Sequence, residues 1–163
     1  MTVLVDFTHA GSGPWAIVND DVMGGLSSSQ VEVTEGGTFL FTGSVSLENN
    51  GGFASTRTRT EDLDLSRHDG IVLRVRGDGR RYQFRLRTSG SSRGVAYRAE
   101  FETRAGEWQE VYLPFDSFRP SFRGRSPRGE GPLDPARIRQ MGFLIADKVE
   151  GPFRLEVAWI KAG

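Results

Sequence analysis

Arg81-Tyr-Gln-Phe-Arg-Leu-Arg87 puts Tyr82, Phe84 and Leu86 at every second position, with Arg81, Gln83, Arg85 and Arg87 between them. A strand turns successive side chains to opposite faces, so this stretch reads as a strand with one apolar and one polar face. The same period continues outward in both directions. Ile71, Leu73 and Val75 alternate with Arg74 and Arg76, and Tyr97, Ala99 and Phe101 alternate with Arg98, Glu100 and Glu102. Further strands are expected over 3–7, 15–18, 29–34, 38–46, 53–60, 108–113, 141–146 and 153–160. Turn residues separate many of them: Glu35-Gly-Gly, Asn49-Asn-Gly-Gly, Gly77-Asp-Gly, Ser89-Gly-Ser-Ser and Ala105-Gly. Many short strands joined by glycine-rich turns predict an all-β sandwich or barrel. Helical signals are confined to Asp134-Pro-Ala-Arg-Ile-Arg-Gln-Met141, with Asp134 as N-cap and Pro135 at the first position, and to a single turn at Phe115-Asp-Ser-Phe118.

The chain has 163 residues and no linker-like stretch, which predicts one domain over 1–163. Without cysteine there is no thiol chemistry, no disulfide and no cysteine-ligated zinc. His9 and His68 lie far apart and lack ligand spacing. No apolar run reaches the ~20 residues of a membrane span, and Met1-Thr-Val-Leu-Val-Asp-Phe7 lacks the basic start of a signal peptide. The expectation is a cytoplasmic protein with no transmembrane segment.

Net charge is zero but unevenly spread. Residues 1–56 hold six acidic groups and no Lys or Arg, whereas residues 57–104 hold twelve Arg against seven acids. One reading is internal pairing between the acidic first third and the basic middle. Arginine's planar fork suits fixed pairing with a carboxylate or a phosphate. A basic face is a second reading, because Arg57, Arg59, Arg74, Arg76, Arg85, Arg87 and Arg98 occupy polar positions of alternating strands. Arg119, Arg123, Arg125 and Arg128, in the irregular stretch 114–133, would extend that face. The aromatics alternating with these arginines point the other way, so no nucleic acid is expected. An acidic protein surface fits better.

Two motif runs stand out. Trp15-Ala-Ile-Val-Asn-Asp-Asp-Val-Met-Gly-Gly-Leu-Ser-Ser-Ser29 reads as a strand ending in a tight loop. Asn19, Asp20 and Asp21 suit bonds to nearby backbone N–H groups, and Gly24 and Gly25 permit positive φ. A structural corner, a calcium site and a polar ligand clamp are the available readings. Calcium needs six or more oxygens, and Asn19 with two adjacent carboxylates covers only part of that set. The second run, Asn49-Asn-Gly-Gly-Phe-Ala-Ser-Thr-Arg-Thr-Arg59, puts Phe53, Ser55, Arg57 and Arg59 on one face, with Asp20 or Asp21 as candidate partners of Arg57. There is no phosphate-binding glycine loop, nucleophile elbow or paired-histidine helix, so neither catalytic residues nor a cofactor or metal is expected.

The run Val18-Asn-Asp-Asp-Val-Met-Gly-Gly-Leu-Ser-Ser-Ser29, followed by Gly51-Gly-Phe-Ala-Ser-Thr-Arg57, resembles the complex I intermediate-associated protein 30 family. Leu113-Pro-Phe-Asp-Ser-Phe-Arg-Pro-Ser-Phe-Arg-Gly-Arg125, Pro132-Leu133 and Ile138-Arg-Gln-Met-Gly-Phe-Leu-Ile-Ala-Asp147 agree with it. The resemblance implies a galactose-binding-domain-like jelly-roll sandwich and a non-enzymatic chaperone role in assembling respiratory complex I. The implied partners are subunits of a membrane-bound respiratory complex or other assembly factors. With no targeting extension, the chain is expected to be a free-standing bacterial form, peripheral to the inner membrane through a protein partner. Asn19, Asp20, Asp21, Met23, Gly24, Gly25, Ser27, Gly52, Phe53, Ser55 and Arg57 are then the expected motif-loop binding residues. Arg85, Arg87, Arg119, Arg123 and Arg125 are the expected partner contacts. The alternative is a carbohydrate-binding-module-like domain holding a glycan on a concave sheet face, with Tyr82, Tyr97 and Tyr112 as candidate stacking residues. The alternation sends Tyr82 and Tyr97 to the core.

Overall fold

A computed structural model describes residues 2–7, 15–19, 25–48, 51–58, 60–89, 95–122, 126–127 and 129–163. The described strands are β1 (Thr2–Asp6), β2 (Trp15–Ile17), β3 (Ser28–Val33), β4 (Phe39–Val45), β5 (Ala54–Thr58), β6 (Gly70–Arg76), β7 (Arg81–Thr88), β8 (Ala96–Glu102), β9 (Trp108–Pro114), β10 (Arg119–Ser121), β11 (Ile138–Ile145) and β12 (Gly151–Ala162). They form two antiparallel sheets. Sheet I runs β3-β4-β12-β6-β9, with β1 also paired to β12; sheet II runs β10-β8-β7-β11-β5-β2. This is the two-sheet jelly-roll sandwich expected of the galactose-binding-like fold.

The alternating residues meet between the sheets. Ile71, Leu73 and Val75 of β6 and Phe39 and Phe41 of β4 are buried, facing Tyr82, Phe84 and Leu86 of β7 and Phe143 and Ile145 of β11. Phe143 sits within a ring cluster, its centroid 5.3 Å from Phe84, 6.0 Å from Trp15 and 6.4 Å from Phe101. In β12 the inward phase changes from Leu155 and Val157 to Ile160 and Ala162, because a bulge between Val157 and Trp159 adds a residue to the ladder.

One expectation needs correction. The helix over 134–141 is only a 3-10 turn at Pro135–Arg137, with the Asp134 carboxylate accepting from the Ala136 amide at 3.0 Å. From Ile138 the chain is extended, because pairing with β7 and β5 buries Ile138, Met141, Phe143 and Ile145 in the core. Burial there outweighs a good cap. The ion pairs found among the described residues take their acids from Asp62, Glu100, Asp134, Asp147 and Glu156; Asp20 and Asp21 of the acidic first third lie outside those residues.

The β11–β12 connection is clamped by one arginine. Arg80 Nε and Nη2 donate to the two Asp147 carboxylate oxygens at 2.9 and 2.6 Å, and Nη1 donates to the carbonyls of Gly151 and Pro152 at 3.0 and 2.9 Å. A further bond reaches the Val149 carbonyl. Both side chains of the pair are buried, and the connection they hold contains Lys148 at φ 62°, in the left-handed region. Nearby, Asp78 accepts from the Tyr82 hydroxyl at 3.0 Å and from the Arg154 amide at 2.8 Å. This joins the start of β7 to β12 across the end of the sandwich.

Arg80→Ala is expected to destabilise the fold by about 3 kcal/mol or more in a urea titration, because it strands the buried Asp147 carboxylate. Acid should act through the same pair. Burial pushes the Asp147 carboxyl up, but hydrogen bonds from Arg80 and the Val149 amide outweigh it and leave it below the usual range. Glu156 is lowered in the same way: burial opposes, while Thr38 and Arg76 prevail. Carboxyls lowered by folding stabilise fully above their unfolded values and lose that contribution as pH falls through the folded ones. The urea midpoint is therefore expected to stay level from neutral pH down to about 5 and to fall below about pH 4. Asp147→Asn should show a shallower acid fall from a lower starting midpoint.

Candidate binding face

The first motif run forms a corner between three strands. Asn19, just after β2, is buried, and its Oδ1 accepts from the Ser29 hydroxyl at 2.8 Å and from the Ser55 amide at 3.2 Å. Ser55 Oγ donates to the Val18 carbonyl, and the Val18 amide donates to the Ser55 carbonyl at 2.9 Å. Ser27 Oγ accepts from the Ser46 amide at 2.9 Å, fixing the entry to β3 beside the end of β4. Gly25 is buried, Gly52 has φ 125°, a value that suits glycine, and Phe53 is half-buried. These bonds hold β5 against β2 and so set the position of Arg57. Asp20, Asp21, Met23 and Gly24 lie outside the described residues, as do Arg59, Arg123, Arg125 and Arg128.

Beyond that corner the outer face of sheet II is basic. Pairing registers place Ala16, Arg57, Gly142, Arg85, Arg98 and Arg119 in one row across β2, β5, β11, β7, β8 and β10. Arg87 lies one step along β7, opposite Gln140. Arg98 is held by Glu100 at 2.7 Å, and Arg119 donates to the carbonyls of Asp116 and Phe118 at 2.6 and 3.1 Å. Arg57, Arg85 and Arg87 have no acidic partner among the described residues. All three line a shallow recess of about 30 Å³, room for about one water molecule, whose floor includes Gly142 and Leu144. A Cβ at Gly142 would stand 2.6 Å from the Thr56 carbonyl oxygen and 3.1 Å from Arg57 Cβ, so the floor there is bare backbone.

The recess is electrostatically unbalanced. Burial, followed by the like charges of Arg87, Arg98 and Arg57, lowers the Arg85 guanidinium to about 10. Burial and Arg57 also lower Arg87. Arg85 nevertheless keeps its charge at neutral pH. Its Nε, like that of Arg98, is buried with no hydrogen-bond partner among the described residues.

The structure thus brings Arg57, Arg85 and Arg87 together and ties Arg119 into its own turn. Arg74 and Arg76 go elsewhere. They lie on β6 in sheet I, stacked on the Trp108 ring at 5.4 and 4.9 Å, so the single basic face expected from the sequence is divided between two sheets. Tyr82 and Tyr97 are core residues, and Tyr112, 52% exposed, belongs to β9 of sheet I. Among the described residues no three His, Asp or Glu side chains form a cluster able to hold a metal ion. Gln140, Gly142 and Leu144 were not anticipated at the site. A glycine inside the strand-like run 141–146 was the available signal, since it marks a close backbone approach.

Comparison with known proteins adds relatives to this geometry. The family model of complex I intermediate-associated protein 30 matches residues 5–157. The mitochondrial complex I intermediate-associated protein 30 of Mus musculus is 31% identical over 166 residues, covering 90% of this chain and 51% of the relative. That of Drosophila melanogaster is 30% identical over 168 residues, covering 90% and 57%. The chain therefore spans about half the length of the curated relatives it matches. Among solved structures, the family 11 carbohydrate-binding module of the Clostridium thermocellum cellulase Lic26A-Cel5E superposes with a TM-score of 0.73 at 20% identity, covering 99% of this chain and 93% of that one. That likeness is one of fold. The expectation of a cytoplasmic bacterial protein rested on how the sequence starts, which does not decide a compartment. The relatives overturn it, since the mouse and fly proteins are named as mitochondrial. With a family match across residues 5–157, the chain belongs to the complex I intermediate-associated protein 30 family.

Proposed function

We propose that this chain is a non-catalytic, chaperone-like binding domain that takes part in assembling respiratory complex I. It docks a subunit of that complex, or another assembly factor, on the outer face of sheet II. Family membership supports the assembly role. The observation that carries the choice of face is the group Arg57, Arg85 and Arg87, charged, half-buried and without acidic partners among the described residues. Desolvated charge of one sign raises the free energy of the unoccupied protein, so sites of this kind mark binding more often than stability. The Asn19–Ser55 corner holds the edge of this face, and Arg119 lies on β10 at its other edge; Arg123 and Arg125 follow it in the sequence.

A glycan reading lacks comparable support. The outward positions of β5, β7, β8 and β11 include Ser55, Arg57, Arg81, Gln83, Arg85, Arg87, Arg98, Glu100, Glu102, Gln140 and Leu144, none of them aromatic, and Phe53, just before β5, is half-buried.

The test is capture by the tagged chain from mildly detergent-solubilised respiratory membranes, read by mass spectrometry. Complex I subunits or assembly factors are expected with the unaltered chain. Charge reversal in Arg85→Glu/Arg87→Glu should cut their recovery by about tenfold or more, the scale of losing a buried charge contact. A folded bait that recovers neither class would end the assembly reading.

A further inference from the structure

The recess also indicates what kind of segment it takes. Arg85 and Arg87 are two residues apart on β7 and share its outer face, which separates their Cα atoms by about 6.7 Å along the strand. An extended peptide repeats its own same-side residues at that interval. Arg57 faces them from β5 across the single strand β11, two inter-strand spacings or about 9–10 Å away. Between them Gly142 supplies no side chain, and a Cβ there would collide with the Thr56 carbonyl. The trough is thus lined by forks on both sides, with bare backbone at Gly142 between the side chains of Gln140 and Leu144. Its donors are side chains, because the strand amides are engaged in the ladders of sheet II. A phosphate site more often uses a nest of free backbone N–H groups.

The geometry points to a receptor for an acid–x–acid motif: an extended acidic segment of the partner lies along β7, over Gly142. Its two carboxylates engage Arg85 and Arg87, and Arg57 closes from the other side. This rests on the docking reading above and names the partner's chemistry at that site. The Arg85 Nε is buried and has no hydrogen-bond partner among the described residues, so the first carboxylate is met by the Nη end of that guanidinium. Arg–carboxylate pairs of this kind are short and directional. Burial is the main cause of the lowered Arg85, and two carboxylates would offset the like charges that add to it.

The direct test is isothermal titration calorimetry with a blocked pentapeptide carrying Glu-Val-Glu at its centre, beside its Gln-Val-Gln counterpart. The acidic peptide is expected to bind the intact chain at low salt and the Gln peptide at least tenfold more weakly. Arg85→Gln and Arg87→Gln should each weaken the acidic peptide about tenfold or more, and Arg104→Gln, an exposed arginine on the β8–β9 turn, should not. A second readout needs no ligand. Arg85→Met removes a desolvated like charge, so its melting temperature in low-salt buffer should rise by a few degrees.

Equal binding of the two peptides, or an Arg104→Gln effect as large as that of Arg85→Gln, would overturn the proposal. So would a lower melting temperature for Arg85→Met, which would make the guanidinium a structural contact. Inorganic phosphate that displaces the peptide at lower concentration would reassign the recess to phosphate. Recovery of complex I proteins by an Arg85→Gln/Arg87→Gln bait at the unaltered level would leave the assembly reading standing and this one refuted. Peptide binding without any such recovery would do the reverse.

Discussion

The burial of one face of β11 is the constraint on which the rest of the molecule depends. Phe143 closes the aromatic cluster formed with Trp15, Phe84 and Phe101, while Met141 and Ile145 carry the same strand face along the core. This fixes the register of β11 against both β7 and β5. A slip by one residue would turn the whole apolar set outward. Because register is fixed from the inside, so is what lies outside. Gly142 must face away from the core between Arg57 and Arg85, and Gln140 must face Arg87. The basic recess is therefore the reverse side of the hydrophobic core, held with the core's rigidity. Its edges are secured separately, by the Asn19 and Ser55 hydrogen bonds at the β2–β5 corner and by the Arg80–Asp147 clamp at the turn into β12.

Much of this was legible in the residues. Period-two alternation located β6, β7 and β8 and the inward face of each, because a half-buried strand must alternate. Tyr82 and Tyr97 followed as core rather than stacking residues. The division of the arginines between sheets was not legible. β6 and β7 are consecutive and similarly patterned, yet β6 pairs with β12 and β9 whereas β7 pairs with β8 and β11. Alternation states which way a side chain points and says nothing about which sheet its strand joins. Asp134-Pro135 read as a helix start for a related reason: a local cap is visible in sequence, but the pairing of Ile138 onward with strands some 50 and 80 residues earlier is not. The Arg80–Asp147 pair spans 67 residues and shows no local pattern at all.

The residues named from the sequence as candidate contacts are placed differently by the fold for the same reason. Asn19, Ser27, Gly52 and Ser55 stood out as a motif, and where the structure describes that motif its polar groups bind one another and neighbouring strands. Its distinctive composition reflects the demands of a tight corner as well as any ligand. Arg85 and Arg87 were expected as partner contacts, but only as two members of one broad arginine face. What sets them apart is partial burial beside Arg57 without an acid among the described residues, a property of the assembled sheet. The solved carbohydrate-binding modules share the sandwich, and at 20% identity that likeness is one of fold alone.

The central claim is that this arginine face receives an acidic segment of a protein partner. A structure of the chain bound to a partner recovered from respiratory membranes tests it most directly. The account predicts partner carboxylates within hydrogen-bond distance of Arg57, Arg85 and Arg87, on an extended segment running along β7 over Gly142. A partner seated on the outer face of sheet I, with the recess of sheet II left open, would contradict it.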